Sequence, residues 1–125
     1  MKQISEGEAK FYTDGNVFYN PEMTTLRNIS VLFLKIISTK KKRILDATAA
    51  TGVRAIRYAL EAGAKDVTLL DVNETAAKIA KKNIKFNHLK FEVLNRSIQE
   101  FASTHRSGFE IIDLDPFGSP APRRN

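Results

Sequence analysis

From Lys42 onward, strand-like and helix-like segments alternate, and this alternation constrains the fold more than any other feature of the chain. "RILDATA" is a short apolar run that ends at Asp46. "TGVRAIRYALEAG" carries apolar residues at Val53, Ile56, Ala59 and Leu60, a helical stripe stopped by Gly63. "DVTLLDV" is the next expected strand, rich in β-branched residues and ending in Asp71. "NETAAKIAKKNIKFN" reads as a helix with Asn73 as N-cap and Ile79 and Ile84 on the buried side. A third strand in "FEVLNR", a short helix opened by Ser97 in "SIQEFAS", and a fourth strand in "FEIIDLD" complete the series. Strands linked through helices by short connections predict an α/β fold. The expected form is a parallel sheet with helices on both faces, joined by right-handed crossovers.

The preceding segment has a different character. "FYTDGNVFYNPEMTTLRNISVLFLKIIST" opens with a turn signal at Asp14-Gly15-Asn16 and an aromatic stretch, then breaks at Asn20-Pro21. A helix is expected from about Pro21. Val31, Leu32, Leu34, Ile36 and Ile37 make it mostly apolar, so it should pack rather than extend into solvent. The chain therefore divides at residue 41 into a hairpin-like segment with a helix (1–41) and the strand–helix repeat (42–125).

Composition narrows the function classes. The 125 residues suffice for one domain. No stretch approaches the roughly 20 apolar residues of a membrane span, and the first residues, MKQISE, lack the apolar core of a secretory signal. Without cysteine there is neither a disulfide framework nor a thiolate metal site, which points to the cytoplasm. His88 and His105 lie far apart in the sequence, and no His/Asp/Glu cluster calls for a metal. A net charge of +6 attracts polyanions such as RNA or DNA without choosing between them. The basic residues gather in Lys40-Lys41-Lys42-Arg43 and at helical spacing in Lys78, Lys81, Lys82 and Lys85. A solvated face is the commoner explanation of such a lysine stripe.

Three strands end in chemically useful residues: Asp46, Asp71, and Asp113 with Asp115. In parallel sheets ligands bind beyond the carboxyl ends of the strands. The first strand-to-helix junction, "LDATAATGVR", is built from small residues, Ala47, Ala49, Ala50 and Gly52, which let a backbone approach a nucleotide closely. The glycine fingerprint of dehydrogenases is absent. Asp71 follows Gly52 by 19 residues, close to the interval of about 20 at which such folds hold a ribose hydroxyl pair. At the chain's end, "DLDPFG" sets a carboxylate beside a proline that donates no backbone hydrogen bond, then an aromatic ring and a glycine. An edge of acceptors next to a flat ring suits the exocyclic amine of a nucleobase.

Asp115-Pro116-Phe117-Gly118 resembles the Asp/Asn-Pro-Pro-aromatic motif of amino-methyltransferases. More specifically, "VFYNPEMTTLRNISV", "LDATAATGVRAIRYALEAGA" and "DLDPFGSP" resemble the tRNA (guanine-N2)-dimethyltransferase family, over Val17 to Pro120. That resemblance implies a Rossmann-like class I methyltransferase fold, S-adenosylmethionine as cofactor, and the N2 amine of guanine 26 in tRNA as methyl acceptor. Residues 42–125 would then be a partial S-adenosylmethionine-binding domain. The resemblance also implies roles. Arg27, Asp46, Gly52 and Arg54 would lie at the cofactor, Asp71 would hold its ribose, and Ser97 and Ile98 would contact its adenine. Asp115 would be the catalytic acceptor, with Pro116 and Phe117 positioning guanine.

The chain departs from the family pattern at Asn28 and Ser97, where acidic residues are expected, and after "GSP", where family members continue with further elements. The fold is therefore expected to be C-terminally incomplete, an N-terminal piece with little or no activity alone. Two other readings compete. An adenine-N6 or cytosine-N4 methyltransferase of DNA or rRNA would carry a second proline where Phe117 stands. A non-catalytic RNA-binding or partner-binding αβ domain would need only the basic charge.

Overall fold

The computed structural model describes residues 1–14, 18–104 and 108–113. Two antiparallel strands, β1 (Lys2–Glu6) and β2 (Ala9–Thr13), form a hairpin closed at Gly7-Glu8. Gly7 has φ +57°, and a Cβ there would meet the Arg57 and Glu61 side chains, so the turn demands glycine. After a short 3-10 turn at Pro21–Met23, helix α1 (Thr24–Ile37) leads into the strand–helix series. That series is β3 (Ile44–Asp46), α2 (Val53–Ala62), β4 (Val67–Leu70), α3 (Glu74–Phe86), β5 (Glu92–Leu94), α4 (Ile98–Thr104) and β6 (Ile111–Asp113). The four strands of the series are parallel in the order β5-β4-β3-β6. The α/β alternation is thus as the sequence predicts.

Side chains on β3 and β4 divide between two apolar clusters. Ile44, Val67 and Leu69 join the main core with residues of α2 and α3, and this core also takes in Ala9, Phe11, Tyr19, Val31 and Leu34 from the first 41 residues. Leu45 and Leu70 pack on the opposite face with Phe101 of α4 and Phe109. Helices therefore cover both faces, as expected.

Two packing expectations need correction. Helix α1 buries only the stripe Arg27, Val31 and Leu34, whereas Leu26, Ile29, Leu32, Phe33 and Ile36 are exposed. A stripe at i, i+4, i+7 spans one helix face, and the other face of α1 has nothing against it among the described residues. In α2 the expected stripe residue Leu60 is 38% exposed, while the polar Arg54 and Arg57 are buried. The cause is that α2 packs against β2, α1 and α3 as well as lying over the sheet, so its first turns are buried all round.

The caps behave as local chemistry dictates. Asn73 accepts from the Ala76 N–H at 3.0 Å, the N-cap expected for α3. Ser97 and Glu100 form a reciprocal capping box on α4: Glu100 N–H donates to Ser97 Oγ at 3.0 Å, and Ser97 N–H donates to Glu100 Oε1 at 2.9 Å. Gly63, with φ +73°, closes α2. No described helix is long and apolar enough to cross a membrane.

Candidate functional site

The small-residue turn between β3 and α2 is held from several sides. Ala47 N–H donates to Asp113 O at 3.0 Å, Ala49 N–H to Leu70 O at 2.8 Å, and Gly52 N–H to Ala49 O at 2.8 Å. Ala50 N–H donates to Asp71 Oδ2 at 2.8 Å. The small-residue turn and Asp71 thus meet directly in space, through Ala50 rather than Gly52. Asp71 Oδ1 accepts from Asn73 N–H at 2.9 Å, so each carboxylate oxygen keeps one further lone pair. Gly52 adopts φ +86°, a conformation that explains its glycine; Ala50, with φ +52°, is held left-handed despite its Cβ.

Beside the turn lies a buried polar cluster. Asp46 and Asp113 are register partners on adjacent strands, so their side chains emerge on the same face of the sheet, where α2 packs. From α2, Arg54 Nη2 donates to Asp46 Oδ1 at 2.7 Å and to Thr48 O at 2.6 Å. Arg54 Nε lies 3.3 Å from Asp113 Oδ2, and the Tyr58 hydroxyl donates to that same oxygen. Asp46 is completely buried, and its Oδ2 has no hydrogen-bond partner among the described residues. Burial pushes the Asp46 carboxyl above its ordinary range, and the Asp113 charge adds to this against the pull of Arg54. Burial would lower Arg54, but Asp46 and Asp113 outweigh it and raise its pKa. Burial and then Asp113 push the Tyr58 hydroxyl up as well. Asp46 Oδ2 thus keeps its lone pairs unused, within a cluster where two carboxyl groups share one guanidinium.

A second buried network ties the hairpin to the helices. Glu6 accepts from Arg27 Nε at 2.8 Å, Arg27 Nη2 at 2.7 Å, Arg57 Nη1 at 2.8 Å and the Tyr19 hydroxyl at 2.7 Å. Arg27 Nη2 also donates to Asn20 O at 2.8 Å. Burial would raise the Glu6 carboxyl, but its arginine and tyrosine partners hold it at about 2. Arg27 is thereby engaged through two of its nitrogens in joining α1 to β1.

The structure brings Asp46, Gly52, Arg54 and Asp71 together around the first junction. Ser97 and Ile98 stand after β5, the neighbour of β4, with the Ser97 hydroxyl already accepting the Glu100 N–H. Arg27 sits in the hairpin network instead. Asp115, Pro116 and Phe117 lie outside the described residues. The Lys40–Arg43 run precedes β3, at the opposite end of that strand from Asp46. There Arg43 pairs with Asp66 at 3.3 Å and its guanidinium lies over the Phe109 ring at 4.5 Å. A cavity of about 280 Å³ lined by Ser38, Lys40, Lys41, Lys42 and Glu110 is at that far end and not at the junction. Sequence reasoning missed Tyr58, Glu6 and Asn83. Only Asn83 carries a local signal, an amide on the otherwise apolar face of α3. No described group of three His, Cys, Asp or Glu side chains has the arrangement of a metal site.

Comparison with known proteins gives a consistent result. The family described as N2,N2-dimethylguanosine tRNA methyltransferase matches residues 1–123. The chain is 38% identical to the tRNA (guanine(26)-N(2))-dimethyltransferase of Pyrobaculum arsenaticum, covering 94% of this chain and 36% of the relative. It is 42% identical to the enzyme of the same description from Thermococcus kodakarensis, covering 96% and 36% respectively. The chain thus spans about a third of the length of these curated relatives. The solved complex of Trm1 from Pyrococcus horikoshii with S-adenosyl-L-methionine superposes with a TM-score of 0.81 at 38% identity, over 96% of this chain and 37% of that one. A tRNA (uracil-54, C5)-methyltransferase from Pyrococcus abyssi, at 21% identity and a TM-score of 0.70, shares the fold; it covers 92% of this chain and 28% of its own.

Proposed function

The chain belongs to the N2,N2-dimethylguanosine tRNA methyltransferase family, and from that premise we propose that it forms the cofactor-binding part of an enzyme that methylates guanine 26 of tRNA at N2. The observation that carries the reading is the Ala50–Asp71 hydrogen bond, which closes the small-residue turn against a strand-end carboxylate, next to the Asp46–Asp113 pair.

The residues present fit S-adenosylmethionine. The free lone pairs of Asp71 suit a ribose diol. The orphaned Asp46 Oδ2 and the single guanidinium between two carboxylates suit a ligand carrying ammonium and sulfonium charges. Gly52 completes the turn, and Arg54 fixes both Asp46 and the Thr48 carbonyl beneath it. Ser97 and Ile98 would flank the adenine; the Ser97 hydroxyl, accepting from Glu100 N–H, keeps its own proton to donate. Arg27, anchored to Glu6 and to the Asn20 carbonyl, would contact the cofactor from α1.

When bound, S-adenosylmethionine supplies an electrophilic methyl group. Asp115 follows Asp113 by two residues, a chain length of at most about 7 Å. Its carboxylate and the Pro116 carbonyl accept hydrogen bonds from the guanine amine. These bonds would favour a pyramidal nitrogen with its lone pair exposed for methylation; the Asp115 carboxylate would take the proton the methylated amine sheds, and Phe117 would stack on the base. The gain is chiefly orientation, where effective molarity supplies roughly 7–11 kcal/mol in favourable cases, together with acceptors for the charge developing on nitrogen. Acting on tRNA, the enzyme works in the cytoplasm.

Calorimetry with S-adenosylmethionine and with its demethylated product tests cofactor binding, and methyl transfer to unmodified tRNA by the whole enzyme tests the substrate. A correctly folded chain that binds neither compound would overturn the reading.

A further inference from the structure

We infer that Asn83 is a positioning residue for the β3–α2 turn, through which the N-terminal hairpin holds that turn in its ligand-ready shape; the ligand named in the test rests on the reading of the turn as the S-adenosylmethionine site. Asn83 lies on α3 and is completely buried. Its Oδ1 accepts from Tyr12 N–H at 2.7 Å, and its Nδ2 donates to Tyr12 O at 2.8 Å. The side-chain amide thus presents to β2 the donor–acceptor edge that a third strand would offer, on the side away from Gln3, the Tyr12 partner on β1. The second Nδ2 hydrogen goes to Thr51 O at 2.8 Å. Three distant stretches, the hairpin, α3 and the turn, meet in one amide whose donors and acceptor are all engaged.

Thr51 stands between the two left-handed residues of the turn, Ala50 at φ +52° and Gly52 at φ +86°. Glycine adopts such an angle freely. Alanine does not, and a left-handed alanine persists only where its surroundings over-determine it. On one side Ala50 is held by Asp71, through its N–H. On the other, Asn83 fixes the carbonyl of the next residue. Freed from Asn83, Thr51 lets Ala50 relax to negative φ and withdraw its N–H from Asp71, which opens the turn at the point where the cofactor would sit. The turn lies alongside α3, since a Cβ added at Gly52 would stand at ordinary contact distance from Ala80.

The test compares the wild-type chain with Asn83→Ala, using Val31→Ala, a buried change in α1, as a control for general destabilisation. With all three folded, S-adenosylmethionine should bind Asn83→Ala about fivefold or more weakly by calorimetry, and Val31→Ala as tightly as wild type. Hydrogen exchange at the Ala50 and Gly52 amides should rise about tenfold or more in Asn83→Ala, with the Leu69 and Leu70 amides unchanged. Wild-type affinity together with wild-type exchange in folded Asn83→Ala would overturn the inference. Should that variant fail to fold, Asn83→Ser, which retains one hydroxyl donor, replaces it. A loss of affinity of about threefold then supports the inference, and none overturns it. If the wild-type chain itself binds no S-adenosylmethionine, the proposed function fails, and the exchange measurement alone decides the role of Asn83.

Discussion

Asp113 stands beside Asp46 across the parallel β3–β6 register, and Arg54 reaches both carboxylates from α2, at 2.7 Å from Asp46 and 3.3 Å from Asp113. One guanidinium therefore fastens the strand that opens the series to the strand that precedes the Asp115 tetrapeptide. Asp46 and Arg54 are buried in this fastening, whereas the Asp113 side chain keeps some contact with solvent.

Tyr58 is the removable member of this cluster. Tyr58→Phe deletes the hydroxyl that donates to Asp113 and leaves the ring in the core. Because the Asp113 side chain is 20% exposed, water can replace part of the lost bond, and the expected cost is about 1–2 kcal/mol by urea denaturation with an unchanged m-value. A change too small to measure would show that Arg54 alone holds Asp113.

Asp71→Asn tests the ribose assignment. The amide keeps one acceptor, while Ala50 N–H and Asn73 N–H each claim an oxygen in the native chain. One of them must then face an NH2 group. Affinity for S-adenosylmethionine is expected to fall about tenfold or more, read by calorimetry. Unchanged affinity would remove Asp71 from the cofactor site.

Glu6 gives the fold an acid limit. Its folded-state pKa of about 2 lies below the ordinary 4.5, so its stabilisation is complete above 4.5 and is lost as pH falls toward 2. Glu6→Gln removes the carboxylate paired with buried Arg27 and one of the two paired with Arg57, and is expected to cost about 3–5 kcal/mol at neutral pH. It should also flatten the acid limb of the stability–pH profile, measured by chemical denaturation between pH 2 and 7. A variant with the wild-type acid limb would contradict the assignment.

The lysine face of α3 is open to solvent at Lys81, Lys82 and Lys85; Arg43 is exposed too, but its charge is paired with Asp66. If this face meets tRNA phosphates, replacing all three lysines by alanine lowers the slope of log affinity against log salt by roughly 2–3. An unchanged slope excludes the face from the interface.

Periodicity and capping chemistry are local, so the order of elements was legible: the Asn73 cap, the Ser97 start of α4 and the strand ends at Asp46 and Asp71 all follow from neighbouring residues. The partners of buried charges are not local. Glu6 meets Arg27 and Arg57 at separations of 21 and 51 residues, and no spacing rule links them. The same limit explains α1 and α2. Apolar content located both helices, but which faces are buried depended on the hairpin at residues 2–13, whose alternation is too short to announce itself beside the turn signal at Asp14.

The position of β3 sets two loop closures of very different length. Ile44 pairs with Val67 on one side and with Ile111 on the other, so the second pairing must close a far longer loop, at greater entropic cost. Strand β6 docks onto a sheet edge whose other strands are joined by short-range crossovers, and the residues that would grip the target base follow it. Under the proposed function, the residues that follow β6 in the sequence therefore depend on the strand pairing with the greater loop-closure cost.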